Sequence, residues 1–113
     1  MPRQHNPKAK LLDSAPVFAA LGDETRLRIV ARLCDDGPAS ITKLAAGFLI
    51  TRQAITKHLR VMQNCGLVRS ARRGRESIWQ LDQQRLEDVR RYLDLISKQW
   101  DDALSRLRQF VED

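Results

Sequence analysis

The strongest constraint on how this chain folds is a ladder of apolar residues near its C-terminal end: Leu86, Val89, Leu93, Ile96, Trp100, Leu104, Leu107 and Val111. Every step is three or four, the spacing of a heptad-like helical seam. Asp82 is placed to cap a helix over about 83–111, roughly 43 Å long at 1.5 Å per residue. Glu87 with Arg91, Asp94 with Lys98 and Asp102 with Arg106 are acid-before-base pairs four apart, suited to its solvated faces. A chain of 113 residues has room for one compact domain. Such a domain cannot cover so long a seam alone, so a partner helix from a second copy is expected. Packing on the chain's own first helix is the other reading, and the two are compatible.

Upstream of this helix the pattern is a series of short capped segments. Residues 1–12 are polar, basic and interrupted by proline, and read as a flexible N-terminal arm; 13–113 read as one domain. Val17, Phe18 and Leu21 make a first apolar face, stopped at Gly22. Asp23 suits the cap of a second helix whose face is Leu27, Val30, Ala31, Leu33 and Cys34, ended by Asp35-Asp36-Gly37-Pro38. Ser40 caps a third helix with Ile41, Leu44 and Ala45 inward. After the turn Gly47-Phe48-Leu49-Ile50, Thr51 caps a fourth helix that runs to Asn64 or Cys65, with Gly66 at its end. The period then shifts toward two. Leu67–Arg72 and Glu76–Leu81 predict paired strands with Trp79 and Leu81 on the buried face. The fold expected is mainly α with a small β-hairpin: a winged helix-turn-helix of five helices, with a long C-terminal dimerisation helix.

Charge is concentrated where this pattern would present it. Of a net +6, the segment 51–75 carries Arg52, Lys57, Arg60, Arg69, Arg72, Arg73 and Arg75 without one Asp or Glu. On a helical wheel, Ile55, Leu59, Met62, Val61, Ala54, Thr51 and His58 fall on one arc of the fourth helix. Arg52, Gln53, Thr56, Lys57, Arg60, Gln63 and Asn64 fall on the other. Arg can bond bidentately to guanine, Gln to adenine, and the Thr methyl can meet that of thymine. Thr51, Arg52, Gln53, Thr56, Lys57, His58 and Arg60 are the candidate DNA-binding set of this helix, with Arg52, Gln53 and Thr56, near its start, for base readout. Lys57 and Arg60 are candidates for phosphate contact. Arg72-Arg73-Gly74-Arg75, at the hairpin tip, reads as a basic wing. Such a face could be merely solvated, but a capped helix–turn–helix with a basic wing beside it points to double-stranded DNA.

At these residues the chain resembles the ArsR-type winged-helix repressors. The resemblance is carried by Phe18-Ala19-Ala20-Leu21-Gly22-Asp23-Glu24-Thr25-Arg26-Leu27-Arg28-Ile29, by Thr51–Leu59, by Gly66-Leu67-Val68, and by Arg73-Gly74-Arg75 with Trp79-Gln80-Leu81. It spans about residues 14–111. It implies a homodimer held by the first and last helices, with Val17, Phe18, Leu86, Val89, Leu93, Ile96, Trp100, Leu104 and Leu107 as interface candidates. It also implies repression of a promoter and release of DNA on a signal. His58 falls where the family commonly has His, as a phosphate contact or a packed helix flank.

Family members that sense metals carry Cys-Val-Cys on the third helix, where this chain has Ser40-Ile41-Thr42. Others use Asp and His on the last helix, and residues 82–113 contain neither His nor Cys. No metal and no cofactor is therefore expected. Cys34 is expected to be a small buried hydrophobe. Cys65, beside Gly66, is a candidate thiol switch if partly exposed. Trp100 resembles a branch of the family whose last helix is extended and lacks metal ligands, and no polar cluster beside it specifies an effector ligand.

Other classes fit less well. There is no Gly-rich phosphate loop, acid pair or nucleophile–base spacing of an enzyme. The serious competitor from another class is a winged-helix protein–protein adaptor, which would have little use for an acid-free run of seven cations; a non-specific architectural DNA binder is the other alternative. The last helix is charge-mixed, unlike a membrane-surface helix. Two cysteines, no apolar leader and no run of about 20 apolar residues predict a cytoplasmic protein.

Overall fold

The computed structural model describes residues 7–112, with side chains described from residue 13 onward. The elements are α1 (Pro7–Leu21), α2 (Glu24–Asp36), β1 (Ala39–Ser40), α3 (Ile41–Ala45), α4 (Arg52–Asn64), β2 (Val68–Arg73), β3 (Glu76–Leu81) and α5 (Gln83–Glu112). The three strands form one antiparallel sheet in the order β1-β3-β2. This is the winged helix-turn-helix expected, with α3 and α4 as the helix-turn-helix and the β2–β3 hairpin as the wing.

Local chemistry sets the boundaries. Four side-chain oxygens accept the backbone N–H three residues on: Asp23 from Arg26, Ser40 from Lys43, Thr51 from Ala54 and Asp82 from Arg85, at 2.9–3.2 Å. Each satisfies a donor that the helix start leaves free. At the end of α4, Gly66 takes φ +82°, its N–H bonds to Gln63 and that of Leu67 to Met62, both carbonyls in the last turn. This is a Schellman closure, completed by contact between the apolar residues that flank it. It also explains why β2 starts at Val68 and not at Leu67: the Leu67 N–H is used to close the helix.

The core gathers Val17, Ile29, Leu33, Leu44, Ile55, Leu59, Met62, Leu67, Val68, Trp79 and Val89 into one cluster where all five helices and the sheet meet. Several sequence expectations need correction. The buried face of α2 is Ile29 and Leu33, with Val30 half-buried; Leu27 is 51% exposed and Ala31 and Cys34 are also outside. The buried face lies about one residue out of phase with the apolar stripe expected from the sequence, because β-branched Ile29 and Val30 offer two neighbouring stripes. Leu81 is only half-buried. Val61, placed on the inner arc of α4, is 42% exposed. Helix α1 begins at Pro7, inside the stretch read as an arm, while residues 1–6 lie outside the described residues. The two-residue strand β1, pairing Ala39 with Trp79 and Ser40 with Ile78, is too short to leave a period in the sequence.

Helix α5 divides along its length. Its first turns bury Val89 and Tyr92, and it packs on α1. Beyond Tyr92 it leaves the body, carrying Leu93, Trp100, Leu104 and Leu107 more than half exposed. The Cα radius of gyration is 17.9 Å, against about 13 Å for a compact chain of this length. The projecting helix accounts for the difference.

Candidate nucleic-acid interface

Ile55, Leu59 and Met62 anchor α4 in the core at steps of four and three. That fixes the rotation of the helix, so Arg52, Gln53, Lys57, Arg60, Gln63 and Asn64 stand exposed on the opposite face. Thr56 is half-buried there, and its hydroxyl donates to the Arg52 carbonyl at 2.8 Å. The hydroxyl proton is thus engaged within the helix, which leaves the methyl and the acceptor lone pairs of the oxygen for other partners. Arg52, Gln53, Thr56 and Lys57 line one shallow groove with Ile41 of α3, the residue through which the preceding helix borders this face.

The hairpin approaches the same end of α4. Arg73 pairs with Glu76 across a two-residue turn, Gly74-Arg75, in which Gly74 has φ +64° and Arg75 does not have positive φ. Positive φ at the first turn position alone is the type II′ geometry that matches strand twist. Arg72, Arg73, Gly74 and Arg75 are all exposed. Because side chains alternate along a strand, Arg72 and Arg73 project from opposite faces of the ribbon. Arg75 shares a notch with Arg52, bounded by Ser40, Thr42, Glu76 and Ser77. Arg52 therefore stands at the junction of the α4 groove and the wing, and the two form a continuous cationic surface. Sequence reasoning missed Thr42, Glu76 and Ser77, which join the notch only because β1 brings the start of α3 against β3. Glu76 places a carboxylate at its edge.

Two residues of the candidate α4 set, His58 and Thr51, are engaged within the chain. His58 is turned to the start of α2, where its Nδ1 lies 3.4 Å from Nη1 of Arg26 and 3.9 Å from Oδ2 of Asp23. Arg26 in turn donates to the Ala20 carbonyl at the end of α1. The backbone N–H of Arg26 holds the Asp23 carboxyl below its ordinary value, helped by the Arg26 guanidinium and by His58. The Asp23-Glu24-Thr25-Arg26 signature thus ties α1, α2 and α4 together. Thr51 serves as the α4 cap, its oxygen turned to the Ala54 N–H.

The candidate interface residues divide. Val17 is fully buried and Val89 nearly so within the single chain, so neither is free to meet a partner. Phe18, Leu86 and Ile96 are half-buried, and Leu93, Trp100, Leu104 and Leu107 are exposed. Tyr92, buried beside Val89, was missed, since Leu93 continues the seam and masks it; burial raises its phenol pKa. Cys34 and Cys65 are both free thiols, and the half-buried Cys65 Sγ donates to the Met62 carbonyl at 3.2 Å. Among the described residues no group of three or more His, Cys, Asp or Glu could hold a metal ion, and no helix is long and apolar enough to cross a membrane.

Comparison with known proteins gives a consistent result. A family model described as bacterial regulatory protein, arsR family, matches residues 23–70, from the α2 cap into β2. The chain is 34% identical over 95 residues to the HTH-type transcriptional regulator Rv2034 of Mycobacterium tuberculosis, covering 84% of this chain and 85% of that one. An ArsR-like transcriptional regulator from Rhodococcus sp. RHA1 superposes with a TM-score of 0.73 at 38% identity, over 90% of this chain and 95% of the other. The homodimeric winged helix-turn-helix DNA-binding domain of a possible ArsR-family regulator from Mycobacterium bovis has the same fold. Its TM-score is 0.64 at 24% identity, over 89% of this chain and 91% of that one.

Proposed function

Because this chain belongs to the ArsR family of bacterial regulatory proteins and is a DNA-binding transcriptional regulator, we propose that it acts as a homodimeric repressor on an inverted-repeat operator. The observation that carries this reading is the continuous cationic surface formed where Arg52 joins the α4 groove to the wing. Arg52, Gln53 and Thr56 meet base edges in the major groove; Lys57 and Arg60 hold phosphates on either side. Arg72, Arg73 and Arg75 contact the adjacent backbone. His58 buttresses α4 from behind through Arg26 and Asp23.

Pairing of two copies is supported by the exposed seam Leu93, Trp100, Leu104 and Leu107 on α5. A contiguous apolar strip of that kind is seldom left to water. The Mycobacterium bovis relative of the same fold is described as homodimeric. Two recognition helices related by a twofold axis reach successive major grooves about 34 Å apart, which sets half-site centres about 10 base pairs apart.

The test is binding to fragments of the DNA upstream of the protein's own gene, against random competitor, at two salt concentrations. Competitor-resistant binding to one fragment is expected. Equal, salt-sensitive binding to all fragments would make the protein a non-specific architectural binder. Absence of binding would favour an adaptor that uses the same surface for another protein.

A further inference from the structure

We propose that Arg85 is the positioning residue that fixes the angle of the recognition helix α4 against the α1–α5 platform, and thereby the half-site spacing the protein accepts. The inference rests on the paired-helix reading above. Arg85 lies in the first turn of α5, yet its guanidinium does not serve α5. Its Nε donates to the carbonyl of Cys65, the C-terminal cap of α4, at 3.2 Å. Its Nη2 donates to the carbonyl of Asp13 in α1 at 2.8 Å. One rigid, planar group thus joins three helices.

Each partner is an acceptor with capacity to spare. The last carbonyls of α4 have no intrahelical donor and carry the negative end of the helix dipole, so a cation there is favoured. The Asp13 carbonyl, like any helical carbonyl, keeps a second lone pair after its intrahelical bond, and the guanidinium uses it. Gly66 completes the site. A Cβ on it would stand 3.7–3.9 Å from the Arg85 side chain, so the guanidinium stem lies directly over the Schellman turn. The backbone of the same node is also closed, since the Asp82 N–H bonds to the Leu67 carbonyl and the Asp82 carboxylate caps α5 through the Arg85 N–H.

The consequence is geometric. The exposed seam that begins at Leu93 sets the dimer axis, and α4 carries the groups that meet DNA. Arg85 is the side chain that bonds the end of α4 to both helices of the platform. If that bond is lost, α4 keeps its own contacts to a half-site but its direction relative to the twofold axis is less fixed. Lysine keeps the charge at the helix end but lacks the planar fork that reaches two carbonyls.

The experiment measures affinity of wild type and Arg85→Lys for single half-sites and for paired half-sites whose centres are moved by one base pair at a time. Wild type should prefer one spacing. Arg85→Lys should bind a single half-site as wild type does and lose about three- to tenfold of the preference between the best spacing and its neighbours, the worth of one net hydrogen bond. Unchanged spacing preference in the variant, or an equal loss on single and paired sites, overturns the inference. A wild-type protein indifferent to spacing overturns the paired-helix reading itself, and the inference falls with it. Should the variant not fold, the Arg85 Nε–H of the wild-type protein decides by NMR. Slow exchange with water is expected, and exchange as fast as that of the exposed Arg90 overturns it.

Discussion

Val89 and Trp100 lie on one seam of α5, about three turns apart, yet Val89 is 6% exposed and Trp100 66%. A single apolar ladder thus serves two purposes: its first part closes the protomer's core, and its second part is left for a partner. The two parts should fail differently on mutation. Trp100→Glu or Leu104→Glu is expected to yield a folded monomer in sedimentation, with paired-site binding lost. Val89→Ala should leave the dimer intact and lower stability in denaturant by about 1–3 kcal/mol through the cavity it opens. A dimeric Trp100→Glu variant would remove the seam from the interface.

The position of Arg52, between the α4 groove and the wing, separates two kinds of contact. Arg52→Ala should relax base preference at one position per half-site, at a cost of about 1–3 kcal/mol. Arg73→Ala should weaken binding evenly on all sequences and reduce the salt slope by about one. Quantitative binding to a set of single-base operator variants distinguishes them. Even weakening by Arg52→Ala would make Arg52 a phosphate ligand shared with Arg75 across the notch.

Gly66 and Gly47 predict opposite responses to alanine. Gly66 holds φ +82°, a conformation that costs an L-residue about 1–2 kcal/mol, so Gly66→Ala should lower the unfolding free energy by that amount. At Gly47 φ is ordinary, and an added Cβ meets only the end of the Arg32 side chain, which can swing aside. Gly47→Ala should therefore leave the denaturation midpoint near wild type. Equal losses at the two sites would contradict the account of the α4 closure.

The Asp23 carboxyl, held below its ordinary value of 3.8 chiefly by the Arg26 N–H, contributes a pH-dependent stability of predictable sign. The contribution is fully present above the unfolded value and is lost as pH falls through the lowered folded value. Asparagine caps a helix well but does not titrate. Asp23→Asn should therefore flatten the acid limb of the stability profile below about pH 4 while leaving neutral stability close to wild type. An unchanged acid limb would show that other carboxylates govern it.

How much of this was legible in the sequence follows from the range of each signal. Caps at Asp23, Ser40, Thr51 and Asp82 are local hydrogen bonds, and each was readable from residues three apart. The rotation of α4 was readable as well, because Ile55, Leu59 and Met62 leave only one way to bury it. The α2 face was legible only in part: Leu33 is buried as expected, but Leu27 and Cys34 fit the helical period as well as Ile29 does, and only tertiary packing chooses between stripes. His58 and Arg85 were beyond reach for a different reason. Their partners, Asp23 with Arg26 and Cys65 with Asp13, are distant in sequence and in part backbone atoms, and no residue pattern announces a carbonyl. The notch between Arg52 and Arg75 depends on β1, two residues long and without a period of its own.

The most direct test of the central claim is a hydroxyl-radical footprint of the bound upstream fragment, with the mass of the complex measured by sedimentation. Two protected segments about one helical turn apart, with two chains per fragment, are predicted. One protected segment with one chain would contradict the twofold reading of α5 and the operator symmetry derived from it.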